Sequence, residues 1–264
     1  MSDEGLDIVE FRPSLNVAKI ISDSIKLYFR GFLFFFPVIL IAATGFEVAI
    51  YELTIFLGDT DSTSATDVTN YISVTLGTLW LDYFLQGLAV LPAIYLFREG
   101  HMRLGASVAG GLRSLIPVVV LSILAAALTI FGYLLLIIPG IIASLALFPL
   151  VPIIQVEKRG LSAIARSFEL TQNYRTAIFG LTILVGILAG GSAYLLGALA
   201  EPLYVWIDGL DINNGFLETI AYSALVAATY TLAGPITFIS AALTYLRLVE
   251  IKEGGEDHLL QIFE

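Results

Sequence analysis

Two acidic residues stand in the middle of long apolar stretches of the chain. Glu47 lies within the run 32–57, and Asp82 and Gln86 lie within the run 71–97. Ionisable groups inside a bilayer are costly, and by default they indicate function. Two charged carboxylates that meet there repel one another, which favours a shared proton or a bound cation. We therefore interpret Glu47, Asp82 and Gln86 as a candidate ion or proton site.

The expected depth of the two carboxylates in a bilayer supports this interpretation. Glu47 stands about ten residues from the outer end of its run, and Asp82 stands about eleven from the outer end of the next. At roughly 1.5 Å per residue, both lie about 15 Å deep, near the middle of a bilayer. Two alternatives stay open. Each carboxylate could be hydrogen-bonded to a neighbouring Ser, Thr or Tyr, or Glu47 could lie nearer to water.

Composition indicates an integral membrane protein. Of the 264 residues, 58% are hydrophobic and 14% are charged, against roughly 25% charged residues in a usual soluble domain. The first residues are acidic and no small-residue cleavage site follows the first apolar stretch, so we expect that stretch to remain as an anchor and not to be a signal peptide. The net charge of −10 argues against nucleic acid as a partner.

The order of apolar and amphipathic segments predicts an all-α polytopic membrane protein. We expect six transmembrane helices in three hairpins, each preceded by a cytoplasmic interfacial amphipathic helix. The predicted membrane domain covers 13–250, between an acidic N-terminal tail (1–12) and a C-terminal tail (251–264). The interfacial helices are predicted at 14–30, 106–114 and 161–175, and the spans at about 32–57, 71–97, 115–138, 141–156, 177–199 and 216–246.

The basic residues predict the orientation. With six spans, all 13 Lys and Arg residues fall on one side of the membrane, and the opposite loops contain none. The positive-inside rule then places both termini in the cytoplasm of a multi-pass protein of the bacterial inner membrane. Acidic residues on the other side carry the net negative charge.

Residues 134–180 contain a turn signal and an amphipathic segment. Pro139-Gly140 fits a type II turn between two spans. Beyond it, apolar residues of the segment 161–175 recur at helical spacing, as in a helix that lies at the membrane surface with Phe168 and Ile164 inward. Polar residues of the same segment are candidates for contacts with lipid headgroups: Arg166, Ser167, Thr171 and Arg175. The alternative is an ordinary solvated helix face.

This region resembles the YciC-like family of bacterial inner-membrane proteins. It is also similar to the membrane domain found beside some glycerophosphodiester phosphodiesterases. The resemblance is carried by the PGI turn, by the apolar span with its proline and by the pattern A-x-x-x-S-x-x-L-T, formed by Ala163, Ser167, Leu170 and Thr171. It implies a six-helix membrane fold and no assigned chemistry.

The sequence favours a protein that is not an enzyme. It contains no Cys, two His and none of the common hydrolase, metalloprotease or nucleotide-binding motifs, and we expect no cofactor and no metal. We expect a structural or accessory role in envelope or lipid homeostasis, or a subunit of a larger membrane complex. Its partners would be membrane lipids and other membrane proteins. The alternative is a proton- or cation-coupled transporter or channel that uses Glu47 and Asp82.

A glycine-rich segment predicts close helix packing. Gly186 and Gly190 stand four residues apart, and Gly191 and Gly197 follow. Such spacing is typical of membrane helices whose backbones approach one another.

Overall fold

The computed structural model describes residues 14–57, 64–209 and 215–254 of the chain. All regular secondary structure in these ranges is α-helical, so the predicted all-α class with several long apolar helices is confirmed. The tail 1–12, and the tail 251–264 beyond its first residues, lie outside the described residues. The helices are α1 (Val17–Arg30), α2 (Phe32–Leu57), α3 (Ser64–Glu99), α4 (Leu104–Leu135), α5 (Ile137–Ala146), α6 (Leu150–Glu157), α7 (Ser162–Thr171), α8 (Arg175–Asp208), α9 (Gly215–Thr231) and α10 (Gly234–Glu253).

Several helices are built to cross a membrane. Within the described residues, five segments are long and apolar enough to do so, which fits the high apolar content of the chain. They are Phe32–Glu52, Leu104–Leu135, Ile137–Glu157, Arg175–Asp208 and Gly234–Glu253.

Helix α10 is the centre of the bundle. It packs against α1, α2, α3, α6, α7, α8 and α9. Large side chains such as Ile239, Tyr245 and Leu248 are fully buried on it, because a helix that is surrounded by other helices buries residues on every face. Around it, α3 pairs with α4, α4 with α5, and α9 with both α2 and α8.

Helix α1 packs on protein along its length. Its C-terminal Tyr28 contacts Leu232, just before α10, and its N-terminal Asn16 and Lys19 share a cleft with Glu250 near the other end of α10. The two helices therefore run antiparallel, side by side. The apolar face of α1 therefore meets α10, and the interfacial position predicted for 14–30 stays a prediction.

The predicted span 216–246 is divided at Leu232 and Ala233. Pro235 follows the break and has no backbone N–H for the carbonyl of Thr231, so the helix cannot continue in register. The hydroxyl of Tyr28 donates a hydrogen bond of 2.5 Å to the carbonyl oxygen of Leu232. Helix α1 thus satisfies a backbone group at the break.

We expect Tyr28→Phe to destabilise the protein by about 1–3 kcal/mol, because a partly buried carbonyl loses its hydrogen-bond donor. The midpoint of thermal unfolding in a fixed detergent measures this. Tyr194→Phe is the matched control, since Tyr194 is 80% exposed, and its midpoint should not move. Equal midpoints for the two variants would show that the bond to Leu232 contributes nothing.

The predicted turn at Pro139-Gly140 is wrong. The break lies at Leu136, which is extended (φ −166°, ψ 152°), and α5 begins at Ile137, so the predicted boundaries at 138 and 141 shift. Pro139 is tolerated in the first turn of a helix, where a backbone N–H has no partner. Gly140 is required by packing, because a Cβ there would lie 2.4 Å from the ring of Tyr133.

The predicted short helix at 106–114 is also wrong as a separate element. Helix α4 runs from Leu104 to Leu135 without a break. Gly110 and Gly111, which weaken an isolated helix, lie against α3: a Cβ on Gly110 would lie 2.7 Å from Leu91. Packing against α3 keeps these glycines in a helical conformation. The amphipathic pattern of 106–114 therefore does not mark a separate surface helix.

Two further boundaries differ from the prediction. Helix α8 continues to Asp208, well beyond the predicted end of its span at 199. Tyr222 of α9 holds this extension, since its ring stacks on Tyr204 at 5.7 Å and its hydroxyl donates to Asp208. The span predicted at 141–156 is divided between α5 and α6, with Pro149 at the break.

The glycines of α8 do not pack closely within this chain. In the described structure, a Cβ added at Gly186, Gly190, Gly191 or Gly197 would meet no atom within 4 Å. The prediction of close packing there is therefore wrong for contacts within one copy. These glycines leave space beside α8.

Candidate functional site

An open cavity of about 510 Å³ lies between the helices of the bundle. Six helices contribute to its wall: α2, α3, α5, α8, α9 and α10. Its apolar lining includes Ile39, Leu85, Leu147, Phe148 and Phe238. Its polar lining includes Asp82, Tyr83, Gln86, Ser144, Tyr230, Thr231 and Thr237.

Glu47 is not among the residues that line this cavity, but it is bonded to Tyr230, which is. The hydroxyl of Tyr230 donates a hydrogen bond of 3.0 Å to Oε1 of Glu47, and Tyr230 itself lines the cavity. Glu47 is half-buried, because α2 packs on α9 along this stretch. Glu52, the other acid of α2, is exposed.

Asp82 and Gln86 both line the cavity from α3. They stand four residues apart, which places them on one face of the helix. Gln86 is only 8% exposed, whereas Asp82 is exposed. Among the described residues, neither side chain has a hydrogen-bond or ion-pair partner. The carboxamide of Gln86 is not among the fully buried polar groups that lack a partner, and Gln86 lines the open cavity.

Tyr230 connects the two predicted acidic residues. It bonds to Glu47 and borders the same cavity as Asp82 and Gln86. The sequence interpretation missed Tyr230, although a signal was present. A tyrosine inside an apolar segment needs a partner for its hydroxyl, and the two carboxylates predicted to lie inside the membrane were candidate acceptors.

The charged groups at the cavity are acidic in the described part of the chain. Among the residues that the structure describes, no Lys, Arg or His lines it, while Asp82 lines it directly and Glu47 is bonded to Tyr230. An isolated carboxylate in an apolar environment is strongly disfavoured unless it is paired or protonated. The arrangement is therefore suited to a positively charged solute or a proton. Among the described residues, no group of three or more His, Cys, Asp or Glu could hold a metal ion.

A second charged cluster joins α6, α7 and α10. Arg166 of α7 binds Glu157 of α6, with Nε 3.3 Å from Oε1, and also binds Glu253 of α10. Burial disfavours the charged guanidinium, but hydrogen bonds and charges from Glu253 and Glu157 outweigh it and raise the pKa of Arg166 above its ordinary value. Glu157 additionally binds Arg159 at 2.6 Å and accepts a hydrogen bond from Tyr245.

This cluster corrects the predicted headgroup contacts. Arg166 is committed to two carboxylates, and its side chain is 13% exposed. Ser167 and Thr171 are fully buried: Ser167 donates to the carbonyl of Ala146 at 2.6 Å, and Thr171 donates to that of Ser167. They lie on the side of α7 that faces the protein, where small hydroxyl residues fit against α5.

Arg175 is the remaining member of the predicted headgroup set. It begins α8, is half-buried and lies 5.6 Å from the centre of the Phe168 ring. Its contact with lipid stays a prediction. On α7, Phe168 and Ile164 are half-buried while Leu161 is 69% exposed. The apolar stripe of α7 is therefore only partly covered by protein.

Comparisons with protein-family models, with curated proteins and with solved structures give no match for this chain.

Proposed function

We propose that the chain is a six-span protein of the bacterial inner membrane with both termini in the cytoplasm. The spans would be α2, α3, α4, α5 with α6, α8, and α9 with α10. The support is the placement of the basic residues, all 13 of which fall on one side in this arrangement. We keep the YciC-like resemblance of residues 134–180 as a hypothesis about family.

Cysteine labelling tests this topology. The chain has no cysteine, so single variants give a clean signal. We expect Ser64→Cys, at the start of α3, to react with a membrane-impermeant maleimide in intact cells. Ser162→Cys, at the start of α7, should react only after the membrane is opened. Labelling of Ser162→Cys in intact cells would reverse the orientation.

The function that the geometry supports best is binding and transfer of a cation or proton, without enzymatic chemistry. One observation carries this proposal: Tyr230, which lines the cavity together with Asp82 and Gln86, donates a hydrogen bond to Glu47. Polar groups that converge on an intramembrane cavity mark ion pathways and proton relays in membrane proteins. The site would act by neutralising the carboxylates with the transported charge.

Flux into proteoliposomes tests the proposal. Proton uptake is followed with a pH-sensitive dye and cation uptake with radioactive rubidium, both driven by an imposed gradient. We expect wild-type flux above that of empty liposomes, and a loss of about tenfold or more for Glu47→Gln, which removes one charge at the site. Glu52→Gln is the matched control on the same helix, where the side chain is exposed, and should retain flux. Equal flux for both variants would exclude Glu47 from the pathway.

A structural or accessory role is the second candidate. Its support is the long apolar outer face of α4, where Ile116 and Leu134 are 77% and 79% exposed. Such a face is suited to contact with membrane lipids or with another membrane protein. Absence of flux from well-folded wild-type protein would favour this role in envelope or lipid homeostasis.

A further inference from the structure

We propose that the cavity takes an organic cation with an apolar body, and that the charged group of this ligand binds between Asp82 and Gln86. This inference rests on the proposed cation-binding function and names its solute class. It goes beyond a proton or a simple metal ion, and three observations carry it.

The first observation is size. The cavity volume of about 510 Å³ lies within the range of roughly 300–1,000 Å³ that is usual for small-molecule sites. A simple cation needs a compact shell of oxygen ligands instead. The wall here is contributed by six helices, and much of it is apolar. An ion alone would leave most of this wall without a partner.

The second observation is the chemistry of the lining. Asp82 supplies a carboxylate without a protein partner among the described residues, and no basic side chain lines the cavity. Phe148 and Phe238 line the same space, and aromatic faces attract organic cations. Apolar and aromatic walls with a few placed polar groups are the usual composition of a ligand site.

The third observation is Gln86. Its side chain is 8% exposed, lines the cavity and has no hydrogen-bond partner in the described part of the chain. A carboxamide offers both a donor and an acceptor. It therefore suits a ligand that is polar at one end, placed one helical turn from the carboxylate of Asp82.

The wall from α8 leaves room for the apolar body of the ligand. This helix contributes the small residues Ala189, Gly190 and Ala193 to the cavity. A Cβ at Gly190 would meet no atom within 4 Å. A large side chain at Gly190 would therefore enter open space and compete with a bulky ligand, without disturbing the packing of the helix.

Equilibrium binding with a pair of probes tests the inference. The full chain in lipid nanodiscs is titrated with radiolabelled tetraphenylphosphonium, and with tetraphenylborate, which has a similar size and the opposite charge. We expect saturable binding of the cation and none of the anion. Asp82→Asn should weaken binding of the cation by about tenfold or more, corresponding to at least roughly 1.4 kcal/mol.

Substitutions in α8 separate occupation of the cavity from adsorption to lipid. Gly190→Leu should weaken binding of tetraphenylphosphonium to a similar extent. Gly186→Leu is the matched control, since it adds the same side chain one turn away and outside the cavity lining. It should bind like the wild type. Equal binding of cation and anion, or unchanged binding in both Asp82→Asn and Gly190→Leu, would overturn the inference.

The binding data also separate this inference from the proposed function. Flux of protons or rubidium that depends on Glu47, without specific binding of tetraphenylphosphonium, would overturn the organic-cation inference and leave the proposed function standing. Specific binding of tetraphenylphosphonium without flux would support an organic cation as the ligand. It would overturn the proposed transfer of protons or cations. Absence of both would overturn both.

Discussion

Replacing Arg166 by methionine is expected to lower the stability of the protein by about 3 kcal/mol, at the lower end of the range for breaking a buried ion pair. The side chain of Glu157 is only 7% exposed, so it cannot recover its hydration when Arg166 is lost. Arg159 and Tyr245 still contact Glu157 and keep the effect from being larger. Methionine retains most of the apolar volume of the arginine stem.

The midpoint of thermal unfolding in detergent measures this loss. For a domain of this length we expect a fall of roughly 6–12 °C, at about 2–4 °C per kcal/mol. Arg247→Met is the control: it breaks a more exposed pair with Glu250 and should cost less than about 1 kcal/mol. Adding Glu157→Gln to Arg166→Met should restore part of the loss. A single-variant midpoint equal to that of Arg247→Met would contradict the buried network.

The largest functional effect is expected for Asp82→Asn, which should reduce flux to the level of empty liposomes. Asparagine keeps the size and shape of aspartate, but it removes the charge and replaces one acceptor oxygen by a donor group. Asp82 lines the cavity directly, whereas Glu47 is already bonded to Tyr230. Without the Asp82 charge, a cation entering the cavity has no compensating group on this wall.

Folding must be intact for this loss to be informative. The elution volume and thermal midpoint of Asp82→Asn should match those of the wild type, because the carboxylate has no protein partner among the described residues. Asp208→Asn makes the same change near the end of α8, outside the cavity lining, and should retain flux. Full flux in a folded Asp82→Asn protein would remove Asp82 from the transfer mechanism.

Local physics explains which parts of the fold could be predicted. Apolar runs and chain breakers indicated the all-α class and the separation of α1 from α2 at Gly31. These local signals gave wrong helix boundaries where contacts between helices determine the structure. Gly110 is helical where it meets α3. The break that was expected at Pro139 lies three residues earlier, at Leu136, because Pro139 has no backbone N–H for the carbonyl of Leu135.

The sequence indicated the acidic residues of the candidate site but not their partners. Counting residues from the ends of the spans predicted a similar depth for Glu47 and Asp82, since the rise of a helix is constant, and this depth stays a prediction. Rotation and the approach of a distant helix are not encoded in such a count, so Tyr230 was missed. For the same reason, Ser167 and Thr171 were assigned to lipid although they face the protein.

The most direct measurement is a cryo-electron microscopy map of the full chain in lipid nanodiscs with saturating tetraphenylphosphonium. We expect density for the probe in the cavity lined by Asp82 and Gln86, with its charge near these two residues, and Glu47 bonded to Tyr230. A cavity filled by lipid chains, with the Glu47 and Asp82 carboxylates facing lipid and more than about 10 Å apart, beyond roughly one Debye length, would contradict it.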